Sequence, residues 1–293
     1  MAQVRPRNLP RWLKRNVPKG NANHLTSKLI NELRLETVCD HARCPNRMEC
    51  FARKTATFMI LGTHCTRRCR FCAVESGSPD PIRDDEPEAV AEACLELDLA
   101  HVVITSVTRD DLPDGGASLF AAVVRAVRAA APGCTIEILV PDFAGSSSAL
   151  ETVLEARPDV LNHNVETVPR LYGRVRPQAD YARSLDLLAA AKRLAPETFT
   201  KSGFMVGLGE TWAEVFALLR DLREAGVDAV TAGQYLRPAP GRLDVVRFRH
   251  PEEFEHLRRA AESLGLTAAC GPLVRSSHGA GAMLERLRRR RRR

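Results

Sequence analysis

The sequence predicts an α/β protein built as a partial or full barrel of parallel strands. After residue 56, six short apolar runs alternate with six stretches whose apolar residues recur every three or four positions. This alternation is typical of parallel strands joined by right-handed helical crossovers. No Gly-x-Gly-x-x-Gly follows the first run, which argues against a dinucleotide-binding sheet.

The elements follow in order from these patterns. Strands are expected at 57–61, 101–107, 135–140, 160–164, 198–206 and 227–235. Helices are expected at about 86–99, 117–131, 146–156, 180–194, 211–225 and 251–264. Pro87 suits a first helical turn, and Thr211 with Glu214 resembles a capping pair. In such a barrel the chemistry lies at the carboxyl ends of the strands.

The composition is that of an ordinary globular protein. The chain has 293 residues, of which 44% are hydrophobic and 27% are charged, which excludes disordered, collagen-like and small disulfide-framework proteins. It has no apolar run long enough for a membrane helix and no secretory signal. We therefore expect a cytoplasmic protein that acts without a membrane.

The net charge of +7 resides at the two ends. Segments 1–19 and 286–293 contain 13 of the 43 basic residues, so 30 basic residues remain against 36 acidic ones. We expect the arginine run 286–293 to be a disordered, solvated tail. The basic segment 1–19 could steer an acidic partner towards the protein.

Nine cysteines suggest metal or redox chemistry. They are Cys39, Cys44, Cys50, Cys65, Cys69, Cys72, Cys94, Cys134 and Cys270. The odd total and the clustering of the first six within 34 residues argue against disulfides. Cys94 and Cys134 are interpreted as small buried hydrophobic residues, and so is Cys270.

The first cysteine trio, Cys65, Cys69 and Cys72, directly follows the first strand. Three thiolates on one loop can hold three irons of a cubane cluster and leave the fourth iron open. A zinc site is the alternative, with His64 as the nearby fourth ligand.

The second trio, Cys39, Cys44 and Cys50, precedes the barrel and also leaves one ligand position unfilled. Its spacing alone is compatible with structural zinc or with a redox trio. Next to the first trio, a second iron–sulfur cluster is favoured.

The first trio resembles the signature of the radical S-adenosylmethionine superfamily, and the whole chain resembles the lipoyl synthase family within it. Seven ordered segments carry this resemblance: Cys39 to Cys50, Ala56 to Cys72, Thr105 to Ala117, Asn162 to Leu185, Lys201 to Glu210, Gly233 to Pro238 and Gly271 to Ser277. The fold it implies is a partial (β/α)6-type barrel. This chain departs from the family pattern at several positions, where the usual residues are replaced by Arg70, Ala73, Phe51, His278 and Gly279.

The resemblance implies an enzyme that inserts sulfur at the sixth and eighth carbons of a protein-bound octanoyl-lysine. The implied cofactors are two 4Fe–4S clusters and S-adenosylmethionine. Cys65, Cys69 and Cys72 would hold the catalytic cluster. Cys39, Cys44, Cys50 and, by family position, Ser277 would hold an auxiliary cluster that supplies the sulfur.

The resemblance also implies partners. They are an octanoylated lipoyl carrier domain or H-protein and an electron donor such as ferredoxin or flavodoxin, with no nucleic acid. We expect a monomer. The alternatives are a diverged radical enzyme that inserts sulfur into another substrate, an enzyme of the biotin synthase kind, or an iron–sulfur carrier or nucleic-acid-binding module that uses its arginine tail.

Cofactor-binding candidates follow two strands. Asn162, Asn164 and Glu166 alternate at the end of the fourth strand, so period two predicts that they share one face. His163 should then be a satisfied core histidine.

Other candidates resemble family loops. Asp110, Gly115 and Gly116 resemble the superfamily loop that binds the methionine ammonium, although Asp-Gly-Gly is also ordinary turn chemistry. Arg174 and Arg176 are rim candidates for substrate contacts.

Four regions are expected. They are an irregular N-terminal extension at 1–56, the barrel at 57–265, a C-terminal segment with Arg-Ser-Ser at 266–285, and the tail at 286–293.

Overall fold

A computed structural model describes residues 9–14, 22–52 and 55–292. The strands are β1 Glu36–Thr37, β2 Thr57–Ile60, β3 His64–Cys65, β4 Glu75–Ser76, β5 His101–Ser106, β6 Thr135–Leu139, β7 Val160–Asn162, β8 Phe199–Val206, β9 Ala229–Gln234 and β10 Thr267–Gly271. The helices are α1 Ala22–Glu32, α2 Val38–His41, α3 Arg47–Ala52, α4 Glu86–Glu96, α5 Ala117–Ala130, α6 Ser147–Glu155, α7 Tyr172–Val175, α8 Tyr181–Leu194, α9 Trp212–Glu224, α10 Pro251–Ser263 and α11 Ala280–Arg291.

Eight strands form one sheet in the order β1-β2-β5-β6-β7-β8-β9-β10. The strands from β2 to β10 in this sheet run parallel, whereas β1 is antiparallel to β2. Among the described residues β1 and β10 do not pair with each other, so the sheet stays open. This arrangement confirms the predicted partial barrel.

The helices cover the outside of the sheet, as their apolar spacing predicts. On α5, Phe120, Val123, Val124 and Val127 recur every three or four residues, and all are fully buried. The start of α9 carries the predicted capping pair, because the Thr211 side chain and Glu214 form a capping box. No helix in the described ranges is long and apolar enough to span a membrane.

Two expected boundaries differ from the structure. The parallel sheet continues beyond residue 265, because β10 pairs with β9 in register from Thr267 to Gly271. The N-terminal extension is not irregular over 22–52, where three helices and β1 form. This segment is polar and rich in cysteine, and its helices are short, so the sequence pattern did not indicate them.

The arginine run is helical through Arg291, which corrects the expectation of a disordered tail for this part of it. It continues α11, whose Met283, Leu284 and Leu287 are buried against Val160 and Phe199. These two residues begin β7 and β8, so α11 covers the amino ends of the strands. The charge of the run alone predicts a solvated tail. In the structure, Leu287 packs the helix against the barrel, and acidic residues of the barrel form ion pairs with some of its arginines.

Those charge contacts are specific. Arg288 lies 2.9 Å from Asp159, and the guanidinium of Arg291 lies 3.7 Å from the centre of the Phe199 ring. Most of the basic N-terminal segment and Arg293 lie outside the described residues.

Candidate active site

A cavity of about 1280 Å³ opens at the carboxyl ends of the strands. Its wall includes the residues that end β5, among them Thr105 and Ser106, and Leu139 at the end of β6. Five of the six clustered cysteines also line it: Cys39, Cys44, Cys65, Cys69 and Cys72. Cys50 lies on α3 and is not part of the wall. Two motifs that are separate in sequence therefore face one space.

The first trio lies beside β3, where Cys65 ends the strand. Its Sγ accepts backbone N–H groups from Arg67 at 3.4 Å and Thr108 at 3.3 Å. Burial raises the pKa of Cys72 to about 12 and also raises the pKa of Cys69, against the opposing charge of Arg176. These thiols stay protonated at neutral pH until a cation displaces the protons, as a metal cluster does.

His64 does not complete a zinc site. Its Nδ1 lies 3.0 Å from a carboxylate oxygen of Asp80, and its Nε2 lies 3.7 Å from Glu75. Within the part of the chain that the structure describes, no three His, Cys, Asp or Glu side chains converge on a single metal ion. The ring nitrogens of His64 thus face two carboxylates.

Asp110, in the expected methionine-binding loop, is paired with an arginine. Both carboxylate oxygens of Asp110 accept hydrogen bonds from Arg67, each at 2.8 Å. Asp110, Gly115 and Gly116 are not part of the cavity wall. The structure therefore gives no support to the expectation that they bind a cofactor.

Gly115 and Gly116 form the turn that begins α5. Gly116 has φ +90°, and a Cβ there would lie 2.2 Å from Leu61. Asp114 accepts a hydrogen bond from the Gly116 N–H at 2.9 Å. Ordinary turn chemistry accounts for this Asp-Gly-Gly, the alternative that the sequence left open.

The second trio is arranged by two short helices. Cys39 lies on α2, which Thr37 caps through the N–H of Asp40. Burial raises the pKa of Cys39 to about 12, and the neighbouring Cys44 and Cys50 raise it further.

The C-terminal segment folds onto the second trio. The side-chain amide of Asn46, between Cys44 and Cys50, donates to the Leu273 carbonyl at 2.7 Å. A Cβ on Gly233 would lie 2.1 Å from the Val274 carbonyl oxygen, so glycine permits this close approach. A contact between residues 227 positions apart thus brings the Arg-Ser-Ser motif to the cavity.

The two serines of that motif differ. The Ser276 hydroxyl accepts a hydrogen bond from the Asn164 amide at 3.3 Å. The Ser277 side chain lines the cavity, and its hydroxyl forms no hydrogen bond with any residue in 9–14, 22–52 or 55–292. Neither Cys270 nor His278 is part of the wall.

Only two of the three alternating polar residues reach the cavity. Asn164 donates to Glu166 at 3.0 Å, and both line the wall. Asn162 instead donates to Glu137 at 2.9 Å inside the barrel. Asn162 thus points inward, as period two predicts, but it lies deeper in the barrel than the cavity wall, while Glu166 follows the end of β7 with φ +64°.

Glu166 lies among polar and charged side chains. Burial raises its pKa, although Arg176, Asn164 and Arg275 oppose the shift. The Asn164 Oδ1 atom is buried without a hydrogen-bond partner among the described residues, so an acceptor is left free for a ligand.

Several other sequence-based interpretations can be placed. His163 is a satisfied core histidine, because its ring nitrogens contact the Val140 carbonyl at 2.9 Å and the Ser184 hydroxyl at 3.1 Å. Cys94 and Cys134 are buried and interact with each other. Arg174 lines the cavity and is exposed.

Two arginines, the buried Arg176 and the half-buried Arg275, interact with Glu166 in the cavity wall. Arg176 donates to the Asn164 carbonyl at 2.9 Å, and its Nε has no partner among the described residues. Arg275, which the sequence analysis did not single out, also lines the wall and interacts with Cys44 and Glu166. The sequence feature that could have identified Arg275 is its position directly before the two serines.

Comparisons with known families agree with this geometry. Residues 59–233 match the model of the radical SAM superfamily, and residues 2–44 match the N-terminal domain of lipoyl synthase of the radical SAM family. The lipoyl synthase of Caldanaerobacter subterraneus is 55% identical over 92% of this chain and 95% of its own length. That of Rubrobacter xylanophilus is 53% identical over 96% of this chain and 88% of its own length.

Solved structures show the same fold at low sequence identity. SuiB of Streptococcus suis, bound to S-adenosylmethionine, has a TM-score of 0.58 and 11% identity, covering 76% of this chain and 54% of that one. Methylornithine synthase PylB has a TM-score of 0.53 and 15% identity, covering 83% and 81%. On the family models and the relatives together, this chain is an enzyme of the radical SAM superfamily and belongs to its lipoyl synthase family.

Proposed function

We propose that this enzyme inserts two sulfur atoms at the sixth and eighth carbons of an octanoyl-lysine carried by a protein. One observation carries the proposal: both cysteine motifs and Ser277 reach the same cavity. A sulfur source and a radical source must act on one alkyl chain, so they must share one space.

The first trio suits the catalytic cluster of the superfamily. Cys65, Cys69 and Cys72 would bind three irons and leave one iron for S-adenosylmethionine. When bound, S-adenosylmethionine and the clusters supply the hydrogen abstraction and the sulfur atoms. The protein binds and orients these groups and excludes water.

Asn164 and Glu166 would orient S-adenosylmethionine. They line the cavity as a hydrogen-bonded pair, and the Asn164 Oδ1, which no described residue contacts by a hydrogen bond, offers an acceptor for a hydroxyl or ammonium group. Asn162 is hydrogen-bonded to Glu137 deeper in the barrel and would not contact S-adenosylmethionine.

The second trio with Ser277 would hold the auxiliary cluster. Cys39, Cys44 and Cys50 would provide three thiolates, and the hydroxyl of Ser277, which has no hydrogen-bond partner in the described part of the chain, would provide the fourth ligand. A hard oxygen is a weaker ligand than thiolate at such a site, which suits a cluster that must give up sulfur. The Asn46–Leu273 hydrogen bond supports this assignment, because it fastens the serine segment onto the second trio.

The cavity wall suits an alkyl substrate. Val107, Val140, Phe204 and Val246 are among its apolar residues. The exposed Arg43 and Arg174 line the same cavity and would favour an acidic carrier protein. An octanoylated carrier domain or H-protein, a ferredoxin or flavodoxin donor, a monomeric state and a cytoplasmic location remain our predictions.

Anaerobic reconstitution followed by single turnover tests the proposal. We expect about eight irons per chain, the content of two cubanes, and a dithiolane product from an octanoyl-lysyl peptide by mass spectrometry. Cys270→Ala is the matched cysteine control, because Cys270 lies outside the cavity wall; this variant should keep both properties.

Two results would contradict the proposal. One cluster, or zinc, would favour the alternative classes of iron–sulfur carrier or biotin synthase-like enzyme. Two clusters with cleavage of S-adenosylmethionine but without dithiolane would favour a diverged enzyme that acts on another substrate.

A further inference from the structure

The loop that carries Cys65 and Cys69 is held in position by one buried side chain, that of Arg67. Arg67 lies between these cysteines, and its side chain is only 5% exposed. Its Nε and one terminal nitrogen each donate to a carboxylate oxygen of Asp110 at 2.8 Å. The same terminal nitrogen lies 2.6 Å from Asp142.

A second set of contacts runs beside this one. The Thr66 N–H and hydroxyl both donate to the Thr108 carbonyl, at 3.1 and 2.9 Å. The Thr66 hydroxyl in turn accepts the Asp110 N–H at 3.1 Å. The loop after β5 is therefore hydrogen-bonded to the cysteine loop at two neighbouring residues.

These contacts between the two loops affect one sulfur, the Sγ of Cys65. They bring the N–H groups of Thr108 and Arg67 to 3.3 and 3.4 Å from this atom. Hydrogen bonds to ligand sulfurs are one of the factors that set the reduction potential of an iron–sulfur cluster. They favour the reduced form because it carries more negative charge.

Arg67 acts through geometry rather than through its own charge. Two carboxylates, Asp110 and Asp142, lie against its guanidinium, so its positive charge is compensated where it lies. A planar fork is required to reach both carboxylates, which lysine does not provide.

We propose that Arg67 is a positioning residue that, with Asp110, holds the backbone amides of Arg67 and Thr108 on Cys65 and so raises the reduction potential of the cluster at the first trio. This inference rests on the proposed function, which places a 4Fe–4S cluster there. It also gives Asp110 a role in the loop instead of in cofactor binding.

The test is the Arg67→Lys variant of the holoenzyme. This substitution keeps the positive charge but removes the planar guanidinium that reaches both carboxylates. Arg68→Lys is the matched control, because Arg68 lies on the same loop and is exposed. Each protein is titrated with dithionite without S-adenosylmethionine, and the EPR signal that responds to later addition of S-adenosylmethionine is followed.

We expect the ratio of reduced to oxidised cluster at a fixed potential to fall about tenfold in Arg67→Lys, a shift of about 59 mV for one electron. Arg68→Lys should match the wild type. An unchanged potential in Arg67→Lys overturns the inference. If the unchanged potential is accompanied by a raised KM for S-adenosylmethionine, the inference is also overturned, and the result would indicate that Asp110 takes part in cofactor binding.

A second pair of variants applies if Arg67→Lys loses iron. Thr66→Val removes the hydroxyl that joins the two loops, and Thr66→Ser restores it. The first should lower the potential and the second should recover it; equal potentials for both overturn the inference. A wild-type protein without any cluster that responds to S-adenosylmethionine would refute the proposed function itself, a separate failure.

Discussion

Deletion of residues 286–293 is expected to destabilise the protein, although seven of these eight residues are arginine. The deletion removes Leu287, which is 4% exposed and packs on the amino ends of the barrel strands. It also removes the contacts of Arg288 with Asp159 and of Arg291 with Phe199.

The magnitude follows from these three contacts. Burial of a leucine side chain contributes about 1.5–3 kcal/mol. The half-exposed ion pair adds at most about 1 kcal/mol, and the cation–π contact adds about 0.5–1 kcal/mol. The free energy of unfolding should therefore fall by about 3 kcal/mol, which corresponds to a Tm lower by roughly 5–10 °C in a chain of this size.

Thermal unfolding followed by circular dichroism at high salt measures this change, because salt screens the repulsion among the arginines. The control is Arg289→Gln with Arg292→Gln, which removes exposed charge and keeps Leu287; its unfolding free energy should stay within about 0.5 kcal/mol of wild type. Below the transition, turnover of a short octanoyl peptide should be preserved, because α11 lies at the opposite end of the barrel from the cavity. A truncated protein with the wild-type Tm would refute this packing argument.

Three further predictions concern the site. Cys69→Ala should abolish cleavage of S-adenosylmethionine, whereas Cys44→Ala should keep uncoupled cleavage and lose dithiolane, as product analysis would show. Ser277→Ala should lower dithiolane formation at least tenfold while cleavage survives, and Ser276→Ala should be milder; equal losses would contradict the ligand assignment. Burial alone would raise the pKa of Asp142, but Arg67 outweighs it and lowers that pKa from 3.8 to about 2. Asp142 therefore contributes stability above pH 3.8 that is lost as the pH falls towards 2, about 2 kcal/mol by linkage, and acid unfolding of Asp142→Asn should lack this component.

The sequence by itself determined the alternation of strands and helices and the two cysteine trios. Both are local properties: apolar spacing reports which face of an element is buried, and the close spacing of three cysteines predicts which thiols could share a cluster. The helix at α5 and the capping pair at α9 agree with the structure for this reason.

Only the tertiary structure decided what each polar residue faces. Asp110 follows a strand end, as a ligand-binding residue would, but Arg67 comes from another loop and engages its carboxylate. Asn162 has the right period, but Glu137 on the neighbouring strand takes its amide. The arginine run predicts a solvated tail, yet Leu287 packs on an apolar surface formed by strands distant in sequence. Such partners are set by packing between elements, and no local pattern in the chain specifies them.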